Sequence, residues 1–135
     1  MADGHTVVSL NVPREWVLTS NQRLSWRAEA NRTSFIRGAA AWHGRAFRAA
    51  HKRELDLPFP HRMHAVAYLR FPTERRRDPA NWYPTVKAAV DGLVDAEVLR
   101  DDSTRFLVGP DLRQAELKCR PGVAVQVLLV LTRAT

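Results

Sequence analysis

Residues 75–102 read RRRDPANWYPTVKAAVDGLVDAEVLRDD. Three arginines run into Asp78, a helical pattern carries Lys87 and Asp91, and the stretch closes on the adjacent pair Asp101 and Asp102. Val86, Val90, Leu93, Val94 and Val98 recur at three- and four-residue steps as an apolar stripe. Lys87, Asp91 and Asp95 follow one another at four-residue steps on the other side. The pattern predicts a helix starting around Trp82 to Pro84, with Pro84 in its first turn and Asn81 as a cap. Two unpaired carboxylates about 4 Å apart repel by roughly 4 kcal/mol at an effective dielectric of ~20, so a fold that gathers acids at both ends of such a helix supplies a cation. Hard oxygen ligands point to magnesium or manganese rather than zinc, and the flanking arginines suit a phosphate.

Within the helix, two readings of the charges stand side by side. On the first, Lys87, Asp91 and Asp95 are surface ion pairs worth a few tenths of a kcal/mol each. On the second, Lys87 leans back toward the loop bearing Asp78, because helical side chains tilt toward the N-terminus. Asp91, one turn further on, is then a partner for Lys87 rather than a metal ligand.

Working toward the N-terminus, residues 62–71 (RMHAVAYLRF) predict a strand with Met63, Ala65, Ala67, Leu69 and Phe71 on one face. His64 falls on the opposite face with Arg62, Val66, Tyr68 and Arg70; it reads as structural, since no partner stands at ligand spacing. LDLPFP breaks the chain before this strand. Residues 24–52 predict a long helix with Phe35, Ala39, Trp42, Ala46 and Ala49 as its apolar stripe. Arg37, Arg45, Arg48 and Lys52 lie off that stripe, either as a basic face against a nucleic-acid backbone or as an ordinary solvated face. Gly38 and Gly44 each cost about 1 kcal/mol relative to alanine and mark a place to fray or bend. Residues 5–12 (HTVVSLNV) predict a first strand ended by Pro13. The loop PREWVLTSNQR after it carries Trp16 and Val17 as anchors, with Asn21 and Arg23 reaching either a phosphate or their own backbone.

Toward the C-terminus, STRFLVG predicts a strand ended by a turn at Gly109 and Pro110, and residues 123–132 (VAVQVLLVLT) predict a strand buried on both faces. Strands alternating with two main helices predict an α/β (α+β) single domain, 1–135, with a mixed sheet packed by those helices. A chain of 135 residues is long enough to bury a real core. Its 21 Lys+Arg against 14 Asp+Glu, net +7, favour a polyanionic partner, most simply nucleic acid. One cysteine, Cys119, excludes an intrachain disulfide and a cysteine zinc site and reads as a small buried hydrophobe. No apolar run approaches membrane-spanning length and MADGHTVV lacks a signal-peptide pattern, so the expectation is a cytoplasmic protein with no membrane partner.

The residues RRRDPAN, KAAVDGL and DAEVLRDD together resemble the RusA family of Holliday junction resolvases, small magnesium-dependent endonucleases often carried by phages and prophages. Asp78 and Asn81 match the family's aspartate and asparagine, Lys87 its lysine, Asp91, Gly92 and Leu93 its D-A/G-L helix, and Asp101 and Asp102 its closing acids. Ala80 stands where the family has a second aspartate, and the spacer from Asn81 to Lys87 is longer than the commoner form; the chain resembles a subgroup spelled DP-x-N and P-T-x-K.

The resemblance implies a RusA-like fold and a homodimer that nicks symmetric strands of a four-way junction or other branched DNA, in a bacterial or phage-infected host cell. It assigns Asp78, Lys87 and Asp102 to catalysis, and Asp78 and Asp102 to Mg²⁺, with Mn²⁺ as a substitute. Asp101 is either a further ligand or the residue that caps the strand entry. Arg75, Arg76, Arg77, Asn81, Arg45, Arg48, Lys52, Asn21 and Arg23 are the DNA-binding candidates. The alternatives are a non-catalytic branched-DNA-binding protein on the same scaffold, its site weakened at Ala80, and a basic protein aimed at a host protein or RNA.

Overall fold

Thr6–Val12 (β1) alternates buried and exposed residues along its length, as a strand with one covered face must. In the computed structural model, which describes residues 5–135, it is followed by α1 (Trp26–His51), β2 (Met63–Arg70), α2 (Tyr83–Asp95), β3 (Leu107–Gln114) and β4 (Val125–Arg133). The four strands form one sheet in the order β1-β4-β2-β3. β4 runs antiparallel to both β1 and β2, and β3 runs parallel to β2. The fold is therefore the mixed sheet with two helices that the sequence predicts.

Register explains where the core sits. The rows Thr6–Leu131–Ala65, Val8–Leu129–Ala67 and Leu10–Val127–Leu69 are buried throughout, while the intervening rows, such as Val7–Val130–Val66, are half-buried or exposed. Both helices cover one face only. β4 is accordingly not buried on both faces as expected: Val125, Val127, Leu129 and Leu131 are buried, whereas Gln126, Leu128, Val130 and Thr132 are only half-buried. Its unbroken apolar run reflects an apolar outer face, not a second covering layer.

The long helix begins at Trp26 rather than Leu24, because Ser25 caps it: its Oγ accepts from the Ala28 N–H at 3.1 Å. Its buried line is Ile36, Ala40, Ala41 and Gly44, not the expected Phe35, Ala39, Trp42, Ala46 and Ala49. Small side chains carry little weight in a hydrophobicity pattern, yet here they let α1 and α2 approach closely. A Cβ on Gly44 would stand 2.8 Å from the Ala96 Cβ, and one on Gly92 would stand 2.3 Å from the Arg37 carbonyl oxygen and 2.7 Å from the Ala40 Cβ. Gly44 is thus a contact point and not a bend, while Phe35 stacks on Trp16 with ring centroids 4.5 Å apart and Trp42 is 64% exposed.

α2 ends on Glu97 in the left-handed region (φ 60°), with the Glu97 N–H bonded to the Val94 carbonyl and the Val98 N–H to the Leu93 carbonyl. Asp95 leaves the expected ladder with Lys87 and Asp91 and instead takes a bidentate pair from Arg37 of α1, at 2.6 and 2.8 Å. The Gly109–Pro110 turn signal also resolves differently. β3 runs through it, with a register irregularity opposite His64 and Val66. Gly109 has φ 96°, and a Cβ there would lie 2.6 Å from the Ala65 carbonyl oxygen. Proline is tolerated because β3 is an edge strand. On the outer face His64 Nε2 lies 2.5 Å from Asp111 Oδ2, tying β2 to β3.

The two helix glycines separate packing from propensity. Gly92→Ala is expected to destabilise the protein by about 3 kcal/mol in denaturant unfolding, because the new methyl meets backbone rather than a movable side chain. Gly38→Ala, with nothing within 4 Å of its Cβ, is expected to stabilise by about 1 kcal/mol.

Candidate functional site

The start of α2 is anchored by a buried hydroxyl. Thr85 Oγ1 donates to the Leu18 carbonyl at 2.6 Å and accepts from the Leu18 N–H at 2.9 Å. The Ser20 N–H donates to the Asn81 carbonyl at 2.8 Å, and Arg32 donates to the Val17 carbonyl at 2.8 Å. Loop 17–22 is therefore held against the segment 78–85. Thr19, Asn21, Arg75, Arg76, Arg77, Asp78, Asn81 and Trp82 line one cleft of about 350 Å³. Sequence reasoning passed over Thr85; the signal was a threonine at a core-facing position of an otherwise apolar helical stretch.

Arg77 shapes the cleft rather than offering a free cation. Its guanidinium lies 4.2 Å over the Phe71 ring and donates to the carbonyls of Thr73 and Arg75 and to Thr73 Oγ1. Gln114 of β3 adds a second brace, accepting from the Arg77 N–H and donating to the Arg75 carbonyl, both at 3.3 Å. Burial, with help from the charge of Arg75, holds the Arg77 pKa below its ordinary value. The Arg75 and Arg76 side chains are exposed and have no hydrogen-bond or ion-pair partner among the described residues. Asp78 Oδ1 accepts the Ala80 N–H at 3.1 Å and caps the 3-10 turn Pro79–Trp82. Trp82, not Asn81, is the N-cap residue of α2, and Asn81 lines the cleft instead.

One turn into α2, Lys87 Nζ lies 2.5 Å from Asp91 Oδ1 and 2.6 Å from Asp102 Oδ2. Asp101 Oδ1 accepts the Asp102 N–H at 2.8 Å, which fixes the loop entering β3. The expected pairing of Lys87 with Asp91 is present; contact between Lys87 and Asp78 is not, and Asp78 makes no ion pair among the described residues. Lys87, Asp91, Asp101 and Asp102 thus gather as one cluster, with Asp78 in the arginine cleft. Burial lowers the Lys87 pKa, but the hydrogen bonds that its ammonium donates to Asp102 and Asp91, with their charges, outweigh it, so the ammonium is held above its ordinary range. The hydrogen bond and charge of Lys87 hold the Asp102 carboxyl below the usual carboxylate range.

The cluster carries three carboxylates and one ammonium, so its balance is acidic. Among the described residues no group of three or more His, Cys, Asp or Glu is placed to hold a metal ion. Asp91 and Asp102 nevertheless converge on a single cationic atom, and every available donor is a hard carboxylate oxygen, which is the donor chemistry of magnesium and manganese.

The basic face of α1 is partly neutralised within the protein. Arg48 pairs with Glu97 at 2.8 Å and reaches the Leu57 carbonyl at 3.4 Å. Arg45 and Lys52 border, with Asp95 and Glu97, a hollow of about 460 Å³ but form no ion pair among the described residues. Arg23 is exposed, and Asn21 accepts from Thr19 Oγ1 at 3.0 Å. No helix of the described chain is long and apolar enough to cross a membrane. No protein-family model matches this chain, and no curated protein matches it.

The Lys87–Asp102 pair sets a pH signature. A depressed carboxyl contributes stability that is present above its unfolded pKa, about 3.9, and lost as pH falls through its folded value; a raised ammonium contributes below about 10.4 and loses that contribution as pH rises through its folded value. Asp102→Asn is expected to flatten the acid limb of unfolding stability below about pH 4, by less than about 1 kcal/mol because Asp102 is 41% exposed. Thr85→Val is expected to cost about 2 kcal/mol in the same assay, because it leaves both polar groups of Leu18 unpaired.

Proposed function

We propose that this chain is a structure-selective DNA endonuclease of the RusA type, acting as a homodimer on four-way junctions and related branched DNA by magnesium-dependent phosphodiester hydrolysis. The observation that carries the reading is the seat of Lys87 between Asp91 and Asp102, with Asp101 beside it, on the same helix whose N-terminal approach bears Asp78 and the arginine cleft.

Asp102, with Asp101 beside it, would hold Mg²⁺ or Mn²⁺, which when bound supplies a water of lowered pKa and neutralises charge on the phosphate, whereas Asp78, the other expected ligand, lines the arginine cleft and is not gathered with them. Lys87, kept protonated by its two carboxylates, stabilises the charge that develops on the scissile phosphate's oxygens. Arg75 and Arg76 grip a backbone phosphate at the cleft, where the Asn21 and Asn81 side chains add neutral polar contacts. Arg77 keeps the loop in shape for them. Asp91 positions Lys87 and stays off the phosphate. The uncovered sheet face, where Val7 is 45% and Tyr68 40% exposed, gives a second copy apolar area to cover and so supports the dimer. A cytoplasmic setting, in a bacterium or a phage-infected host, accords with this substrate.

A second reading is a branched-DNA-binding protein without nuclease activity. Ala80 favours it: the residue is exposed and supplies only backbone groups, its N–H to Asp78 and its carbonyl to the Tyr83 N–H. Cleavage of a synthetic four-way junction and a matched linear duplex separates the two. Wild type is expected to place paired symmetric nicks on the junction in Mg²⁺ or Mn²⁺ and none in chelator. Asp102→Asn is expected to lower nicking by at least about a hundredfold while leaving junction binding intact or tighter, since a negative charge near phosphate is removed. Salt-sensitive junction binding with no nicks in either metal would establish the second reading instead.

A further inference from the structure

The sequence carries an apolar stripe that the fold buries only in part: Ala39 packs against the core and Phe35 stacks on Trp16, while Trp42 stays exposed. Phe35, Trp42 and Ala46 lie on one side of α1, off the Ile36–Ala40–Gly44 line that packs on α2. Phe35 is 38% and Trp42 64% exposed, and both Ala46 and Ala49 are exposed. One turn before Trp42, Gly38 presents bare backbone with open space above it, so the indole stands at the edge of a shallow step and not in a packed pocket.

Cations outnumber acids around this stripe, although Asp95 and Glu97 border the hollow that Arg45, Ala49 and Lys52 line. Residues 30–53 contain no aspartate or glutamate. The acids that approach from the neighbouring segment, Asp95 and Glu97, are already taken by Arg37 and Arg48. Arg45, Lys52 and Arg53 are exposed and form no ion pair with another described residue. An exposed indole flanked by exposed cations that outnumber the nearby acids matches the chemistry of an unpaired nucleobase with its phosphates, in which the base stacks on the ring and the backbone runs along the cations. A second copy of this chain fits the face poorly, because an antiparallel pairing that seats Trp42 over Gly38 of the partner also directs Arg27 of one copy at Arg53 of the other. A fully paired duplex offers the cations its phosphates but offers the indole no free base face.

We infer that the Trp42 face of α1 is a single-stranded DNA platform, in which Trp42 stacks on an unpaired base while Arg45, Lys52 and Arg53 hold the flanking phosphates. The inference rests on the nucleic-acid part of the proposed function and not on its hydrolytic part, and binding measured in chelator keeps the two apart. It gives branched DNA a second contact, along the Trp42 side of α1 and toward the hollow at the end of α2, for a strand unstacked near the branch.

The test is fluorescence anisotropy of labelled oligo(dT) and of a blunt hairpin duplex in chelator, with wild type, Trp42→Ala, Trp42→Phe and Trp26→Ala. Trp26 is 78% exposed but projects about 160° away around the helix, so it controls for loss of any exposed indole. Trp42→Ala is expected to weaken oligo(dT) binding about tenfold and to change duplex binding by less than about twofold. Trp42→Phe is expected to keep most of the oligo(dT) affinity, and Trp26→Ala all of it. Failure of wild type to bind oligo(dT), equal losses on both probes, or no loss at Trp42→Ala would overturn the inference. So would a fall from dimer to monomer on Trp42→Ala in sedimentation, which would give the face to a second copy. Because Trp42 is mostly solvent-exposed, Trp42→Ala is expected to keep the wild-type thermal midpoint, and the Phe variant preserves the test if it does not.

Discussion

The structure turns on the near-contact of two helix backbones at Gly92. With hydrogen in place of a side chain, α2 lies against the Arg37 carbonyl and the Ala40 and Ala41 turn of α1, and Gly44 makes the reciprocal contact with Ala96 and Leu93. Both helices then reach the same face of a four-stranded sheet whose inner rows of Val, Leu and Ala are buried. α2 is buried along most of its length, at Thr85, Val86, Ala88, Ala89, Val90, Gly92 and Leu93, so it behaves as a fixed rail. Lys87 and Asp91 project from that rail, and their geometry is inherited from the packing beneath them.

Charge is sorted on this scaffold by partner. Arg37, Arg48 and Arg77 are consumed internally, by Asp95, by Glu97 and by the carbonyls of their own loop. Arg75, Arg76, Arg45 and Lys52 form no ion pair among the described residues. The acids divide likewise: Asp95 and Glu97 tie helices together, whereas Asp91, Asp101 and Asp102 gather around a single ammonium and leave a net negative charge there. The molecule is net basic, with one acidic focus on α2 and a basic cleft at the start of the same helix.

Much of this was legible in residue spacing. Alternation in Thr6–Val12 and Met63–Arg70 gives the strands, and the four-residue step gives the Lys87–Asp91 pair, whereas the spacing points Lys87 toward Asp78 and the chain instead brings Asp102 to it. Other features were not legible, each for a physical reason. The buried line of α1 is made of alanine and glycine, which score weakly against Phe35 and Trp42 although only the small residues permit the close helix approach. Gly109 and Pro110 carry a turn signature, but the sheet uses them inside an edge strand, where a missing N–H is harmless and a positive φ is needed. The apolar run of β4 does not reveal how many layers cover it. Thr85 binds a backbone 67 residues away, which no local pattern encodes.

The central claim is that Lys87 occupies the focus of a carboxylate site built to share a hard cation. Calorimetric titration of Mn²⁺ into the DNA-free protein tests it most directly, comparing wild type with Asp102→Asn and Lys87→Met. The account predicts saturable binding by wild type, its loss in Asp102→Asn, and binding at least as tight in Lys87→Met, where the competing ammonium is gone. Equal Mn²⁺ uptake by wild type and Asp102→Asn, or none by any of the three, would contradict it and leave the cluster as an ion-pair network.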